Sequence, residues 1–193
     1  MYLLNHTICM AFRINILCVP LLLLPVFVHC QNYETRNGNA KFHSSVPLHS
    51  FTGESDYLTG MINFEENLVD FYLDLSTLKT GNSRRDRDMY RTFNVDEFPF
   101  AEYTGSLETV FDENSIEKQV VIVKGEFTIH GVTVEKTVEG TLQRRGENIL
   151  LEAEWVQDIT DHNIEPPGIL FYRVRDEMDV HIRAVLEPVL DES

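Results

Sequence analysis

The chain has 193 residues, with 31 acidic against 16 basic side chains and a formal net charge of −15. A surface that negative repels phosphate backbones and anionic lipid headgroups, which argues against nucleic acid as a partner. All three cysteines, Cys9, Cys18 and Cys30, lie within residues 1–30, so disulfides play no part in a mature chain cleaved after Cys30.

Residues 1–30 read as a secretory signal peptide. Arg13 is the only charge before Glu34, and Ile14 to Val28 is apolar apart from Asn15, Cys18, Pro20 and Pro25. The prolines and the short run disfavour a transmembrane helix. Met10 begins a more usual signal, with Met-Ala-Phe-Arg as its basic start, so Met1 and Met10 both stand as starts. Acylation of Cys30, as in a lipoprotein, is the weaker reading because Phe27-Val28-His29 lacks small residues. The expectation is a periplasmic or secreted protein, with residues 31–38 a short linker and 39–193 a single domain.

From Asn39 onward the organising signal is alternation of period two, the mark of strands with one buried face. A short strand near Ala40 to His43 is followed by Leu58 to Phe64. Next comes Val69 to Leu75, where Val69, Phe71, Leu73 and Leu75 alternate with Asp70, Tyr72 and Asp74. Thr80 to Phe93 breaks the pattern and predicts a short helix capped by Asn82 or Ser83, with Met89, Tyr90 and Phe93 facing inward. Pro99 ends that segment by forcing its predecessor into an extended conformation. Further strands are expected at Ala101 to Leu107, Val120 to Ile129, Val132 to Leu142, Ile149 to Val156 and Met178 to Leu186, with an irregular stretch at Asp158 to Gly168. Thr52-Gly53-Glu54, Ile129-His130-Gly131 and Arg145-Gly146-Glu147-Asn148 read as turns joining antiparallel neighbours. This is an antiparallel all-β domain, as a sandwich or a barrel.

No glycine-rich phosphate loop follows a strand, and His43, His49, His130, His162 and His181 stand at no recognisable metal-ligand spacing. No catalytic residue or metal ligand is assigned. The cluster Arg84-Arg85-Asp86-Arg87-Asp88 is either a solvated helix face or, with Arg85 and Asp86 turned inward, an anchor for the mouth of a barrel or a ligand headgroup.

Three ordered segments resemble the YceI family of lipocalin-like polyisoprenoid-binding proteins. They are Leu78-Lys79-Thr80-Gly81-Asn82 running through Arg85-Asp86 to Phe98-Pro99-Phe100-Ala101, then Gly125 to Thr133, then Asp161-His162-Asn163-Ile164. Asp88 departs from the family pattern, which often places a histidine near there. The resemblance spans about Asn39 to Glu187. It implies an extended eight-stranded antiparallel barrel with a helical segment near 83–93 and a long apolar pore. Its occupant would be an isoprenoid quinone, a polyprenyl phosphate or another long-chain lipid, held for transport, storage or stress protection, with no other cofactor. A homodimer is an open option. Candidate pore residues are Val69, Phe71, Leu73, Ala101, Tyr103, Phe127, Ile129 and Trp155, with Arg85, Asp86, His49 and His162 toward the mouth; the same apolar residues could equally fill a solid core. The alternatives are a lipid-modifying enzyme using His49, His130 or His162 with a carboxylate, and a ligand-free protein-interaction domain.

Overall fold

The computed structural model describes residues 32–46, 49–165 and 176–189; the expected signal peptide and the stretch around Pro166 and Pro167 lie outside them. The strands run in chain order as β1 (Asn32–Val46), β2 (His49–Asn63), β3 (Leu68–Asp74), β4 (Phe100–Leu107), β5 (Gln119–Ile129), β6 (Val132–Arg145), β7 (Asn148–Asp158) and β8 (Glu177–Pro188). Each pairs antiparallel with the next. β1 also pairs with β8, from Tyr33↔Pro188 to Ser44↔Met178, so the sheet closes on itself. Closure decides for the barrel over the sandwich and leaves the sheet without a free edge strand. In β3 the cause is plain, since Val69, Phe71 and Leu73 are buried while Asp70 and Tyr72 face solvent.

Two expectations need correction. Residues 32–38, expected as a linker, are barrel wall: Tyr33 and Thr35 are buried inside β1. That stretch is too polar to show alternation, and Asn37-Gly38 looks like a turn although it is absorbed by register shifts on either side of Gly38. Thr52-Gly53-Glu54 is likewise not a turn but part of β2. Gly53 is there because the Phe42 ring crosses it, and an added Cβ would lie 2.2 Å from that ring.

The other two turns are as expected. His130 and Gly131 have φ of 56° and 71°, both left-handed, which makes a tight hairpin whose twist matches its strands. Gly146, with φ of 68°, opens the turn between β6 and β7.

Helix α1 (Ser83–Thr92) lies between β3 and β4, and the Asn82 side chain caps it by accepting from the backbone N–H of Arg84 and Arg85. It buries Met89, and just past its end Phe93 packs edge-on against Phe42 at one mouth of the barrel. At the opposite end Tyr33, Phe64 and Phe111 form a contiguous aromatic plug, with Phe64 and Phe111 stacked at 5.0 Å. Leu142, Ile149 and Leu186 are almost wholly buried beside it.

The wall is not uniform. β6 and β7 are in register only from Gly140↔Ala153 to Arg145↔Asn148, so 132–139 of β6 part from 154–158 of β7. Polar struts span the parting. Lys136 Nζ donates to the Val156 carbonyl at 2.7 Å, and His162 Nδ1 donates to the Val132 carbonyl at 2.8 Å.

Candidate ligand-binding cavity

Register sets the inward side chains in rows. Gly60, Phe71, Tyr103, Phe127 and Val134 form one across β2 to β6, and Phe42, Val180 and Trp155 another across β1, β8 and β7. These rows enclose space. The volume open to the centre of a water-sized molecule is about 130 Å³, where roughly 10–15 Å³ suffices for one water. The interior is therefore hollow. The surface facing this space is almost wholly apolar, and Tyr103 and Trp155 are among the residues that border it. A second chamber of about 80 Å³ adjoins it toward α1, sharing Ala40, Leu73, Ala101, Phe127 and Val180 as walls.

Of the residues expected from sequence, Val69, Phe71, Leu73, Ala101, Tyr103, Phe127 and Trp155 all border the main chamber, and Ile129 borders the second. Leu58, Ile62, Val123 and Ile182 also line it. Their signal was the same alternation, on β5 for Val123 and on β2 and β8 for the others. Gln157, which borders the second chamber, was missed because it is polar, although it shares the parity of Trp155 on β7.

The polar candidates sit elsewhere. Arg85 is exposed and lies over the Phe51 ring at 5.1 Å rather than turning inward. Asp86 clamps the approach to the helix, its carboxylate accepting from the Thr80 backbone N–H at 2.8 Å and from the Thr80 hydroxyl at 2.6 Å. Desolvation pushes its pKa up, but the Thr80 hydrogen bonds, with Lys79 and Arg85 nearby, outweigh that and hold it below the ordinary carboxylate value. Neither residue borders a chamber. The Tyr90 hydroxyl donates to the Leu78 carbonyl and tethers the helix from its other end.

His162 is fully buried in a 3₁₀ turn, Thr160–His162, packed edge-on against Phe127 at 5.3 Å. Its Nε2 meets the Gln157 amide nitrogen at 3.0 Å, so both ring nitrogens are engaged in holding the turn on the barrel. His130 points its Nδ1 at the His162 carbonyl. The side chain of His49 lies outside the described residues.

Tyr103 spans the wall, its hydroxyl 3.1 and 3.0 Å from the carbonyls of Val123 and Lys136, which share its one proton as acceptors. Burial pushes its phenol up to about 12. It is a neutral strut in an apolar chamber.

A closed antiparallel barrel with a hollow apolar interior, a helix over one mouth and an aromatic plug at the other defines a class of single-cavity β-barrels. The family model of the YceI-like domain matches residues 33–186, and the chain belongs to that family. No curated protein matches it. Among solved structures it is similar to a polyisoprenoid binding domain from Saccharophagus degradans implicated in plant cell wall breakdown, at 18% identity and a TM-score of 0.71 over 83% of this chain and 100% of that one. BcnA of Burkholderia cenocepacia is similar at 13% identity and a TM-score of 0.65, covering 77% of this chain and 95% of that one. The Campylobacter jejuni YCEI protein shows 12% identity and a TM-score of 0.52 over 95% of this chain and 97% of that one. At such identities the likeness is one of fold.

Proposed function

We propose that this protein is an exported carrier or store that holds one long apolar chain, of the isoprenoid quinone or polyprenyl class, along the axis of its barrel. The observation that supports it best is the carbon-lined hollow running from Trp155 and Phe127 to the second chamber under α1. Burial in such a space stabilises a bound chain by roughly 2.5 kcal/mol for each ~100 Å² of apolar surface removed from water. The polyisoprenoid-binding neighbour from Saccharophagus degradans shares the fold and adds weight to the ligand class.

Binding, rather than catalysis, is the role we infer. The ring nitrogens of His162 are occupied by Val132 and Gln157, and His130 leans on the His162 carbonyl, so neither ring is hydrogen-bonded to a carboxylate among the described residues. The apolar, basic-led segment before Cys30 supports export, as does a domain that needs no reduced thiol. Native mass spectrometry of the purified mature protein should show a co-purifying lipid of one chain per barrel. A protein that is lipid-free as isolated, and that takes up no isoprenoid quinone or polyprenyl compound on incubation, would overturn the proposal.

A further inference from the structure

Two side-chain polar atoms buried in an otherwise carbon-lined barrel, Trp155 Nε1 and Gln157 Oε1, lack a hydrogen-bond partner among the described residues. They lie two residues apart on the inward face of β7, about 6.5 Å along the strand. Trp155 borders the main chamber and Gln157 the second, so the pair straddles the junction. Across the barrel wall, in the row that runs from Gln157 through Met178 to Ser44, the fully buried Ser44 hydroxyl is also without a partner among the described residues.

The orientation of Gln157 is forced. Its amide nitrogen donates to the Asp158 carbonyl at 2.9 Å, a position that only a donor can fill. The other hydrogen meets His162 Nε2, which must accept because Nδ1 has spent the ring's proton on the Val132 carbonyl. With both amide hydrogens used, the carbonyl oxygen is left as a fixed acceptor in a residue 5% exposed. An unsatisfied buried polar atom costs about 1–3 kcal/mol, so such atoms are rare in folded proteins unless something meets them.

We infer that the junction at Trp155 and Gln157 is the seat of the ligand's polar end, and that this end is a neutral hydroxyl, as in an isoprenoid alcohol or hydroquinone, rather than a phosphate. A hydroxyl can accept from the indole N–H and can donate to the glutamine carbonyl. A quinone carbonyl serves only the first. An ionised phosphate serves only the first as well, turns its oxygens against Gln157 Oε1, and brings charge into a wall that offers no counter-charge. Lys41, which borders the second chamber, carries its ammonium to the exposed Glu54 at 2.9 Å. The arginines of α1 are exposed on the outer side of the helix.

The inference rests on the proposed binding of an isoprenoid chain, and a ligand series separates the two. The full-length mature protein, freed of lipid, is titrated with geranylgeraniol, with geranylgeranyl diphosphate and with a hydrocarbon of the same length, read by thermal shift and native mass spectrometry. The alcohol is expected to bind about five-fold tighter than the hydrocarbon and more than about ten-fold tighter than the diphosphate. Trp155→Phe, which keeps an aromatic wall and removes the donor, is expected to bring the alcohol-to-hydrocarbon affinity ratio from about five-fold down toward one. If the hydrocarbon binds but the diphosphate equals or exceeds the alcohol, the hydroxyl seat is wrong and the carrier proposal stands. If Trp155→Phe weakens alcohol and hydrocarbon alike, the indole acts by shape only and the seat is again wrong. If none of the three binds, both proposals fall.

Discussion

Asp86 shows how a charged residue on the outside can govern a cavity it does not touch. Its two hydrogen bonds from Thr80 fix the chain entering α1, and α1 in turn holds Phe93 over the mouth. Its pKa is lowered in the folded protein from an ordinary 3.8, so its contribution is fully present above that value and is lost as pH falls through the folded pKa. Asp86→Asn is expected to destabilise the protein by about 1 kcal/mol at neutral pH, a difference that should shrink in melts taken in acid below the ordinary carboxylate range. At this scale the sequence was partly legible. Sequence left Asp86 either on a solvated helix face or turned inward toward a headgroup, and its actual role, accepting from Thr80, depends on geometry within six residues that no pattern encodes. Gln157 was illegible for a different reason: a polar side chain at an inward position contradicts the alternation by which inward positions are found.

Among the elements, the strands with one apolar and one charged face were readable, and β3, β5 and β6 lie close to where alternation puts them. β1 was read only at Ala40 to His43, because its first half, which buries Tyr33 and Thr35 among asparagines, carries little hydrophobic contrast. Gly53 misled for a physical reason, since glycine serves both turns and the close approach of a large ring. The Phe42 ring occupies the place of its missing side chain. Gly53→Val should therefore overpack the barrel wall and cost about 1–3 kcal/mol in chemical denaturation. Phe42→Leu in the same chain should recover part of that loss, and strictly additive effects would show that the ring is not the cause. The helix was legible from its cap and its aromatic end, Asn82 through Phe93, because both signals are local.

For the molecule as a whole, closure and hollowness are properties of distant pairs. Ser44 meets Met178 and Tyr33 meets Pro188 across nearly the full domain, and nothing within a strand announces such partners. The family resemblance supplied the barrel where alternation left sandwich and barrel open, and the register of β1 with β8 then established it. The same apolar residues could have met in the middle. They do so only in part: Phe127 and Trp155 meet edge-on with ring centroids 6.3 Å apart, and space remains beside that contact, bordered by Phe71, Tyr103 and Val180. Trp155 is the chain's single tryptophan, and it borders that space. Its emission therefore reports on this site with no second indole to mask it. Titration with a bromine-labelled isoprenoid chain, whose heavy atoms quench an indole on contact, is the most direct test of a hollow that takes up a chain. Saturable quenching of Trp155 at one chain per barrel is the expected result; emission that stays unchanged at saturating ligand would contradict it.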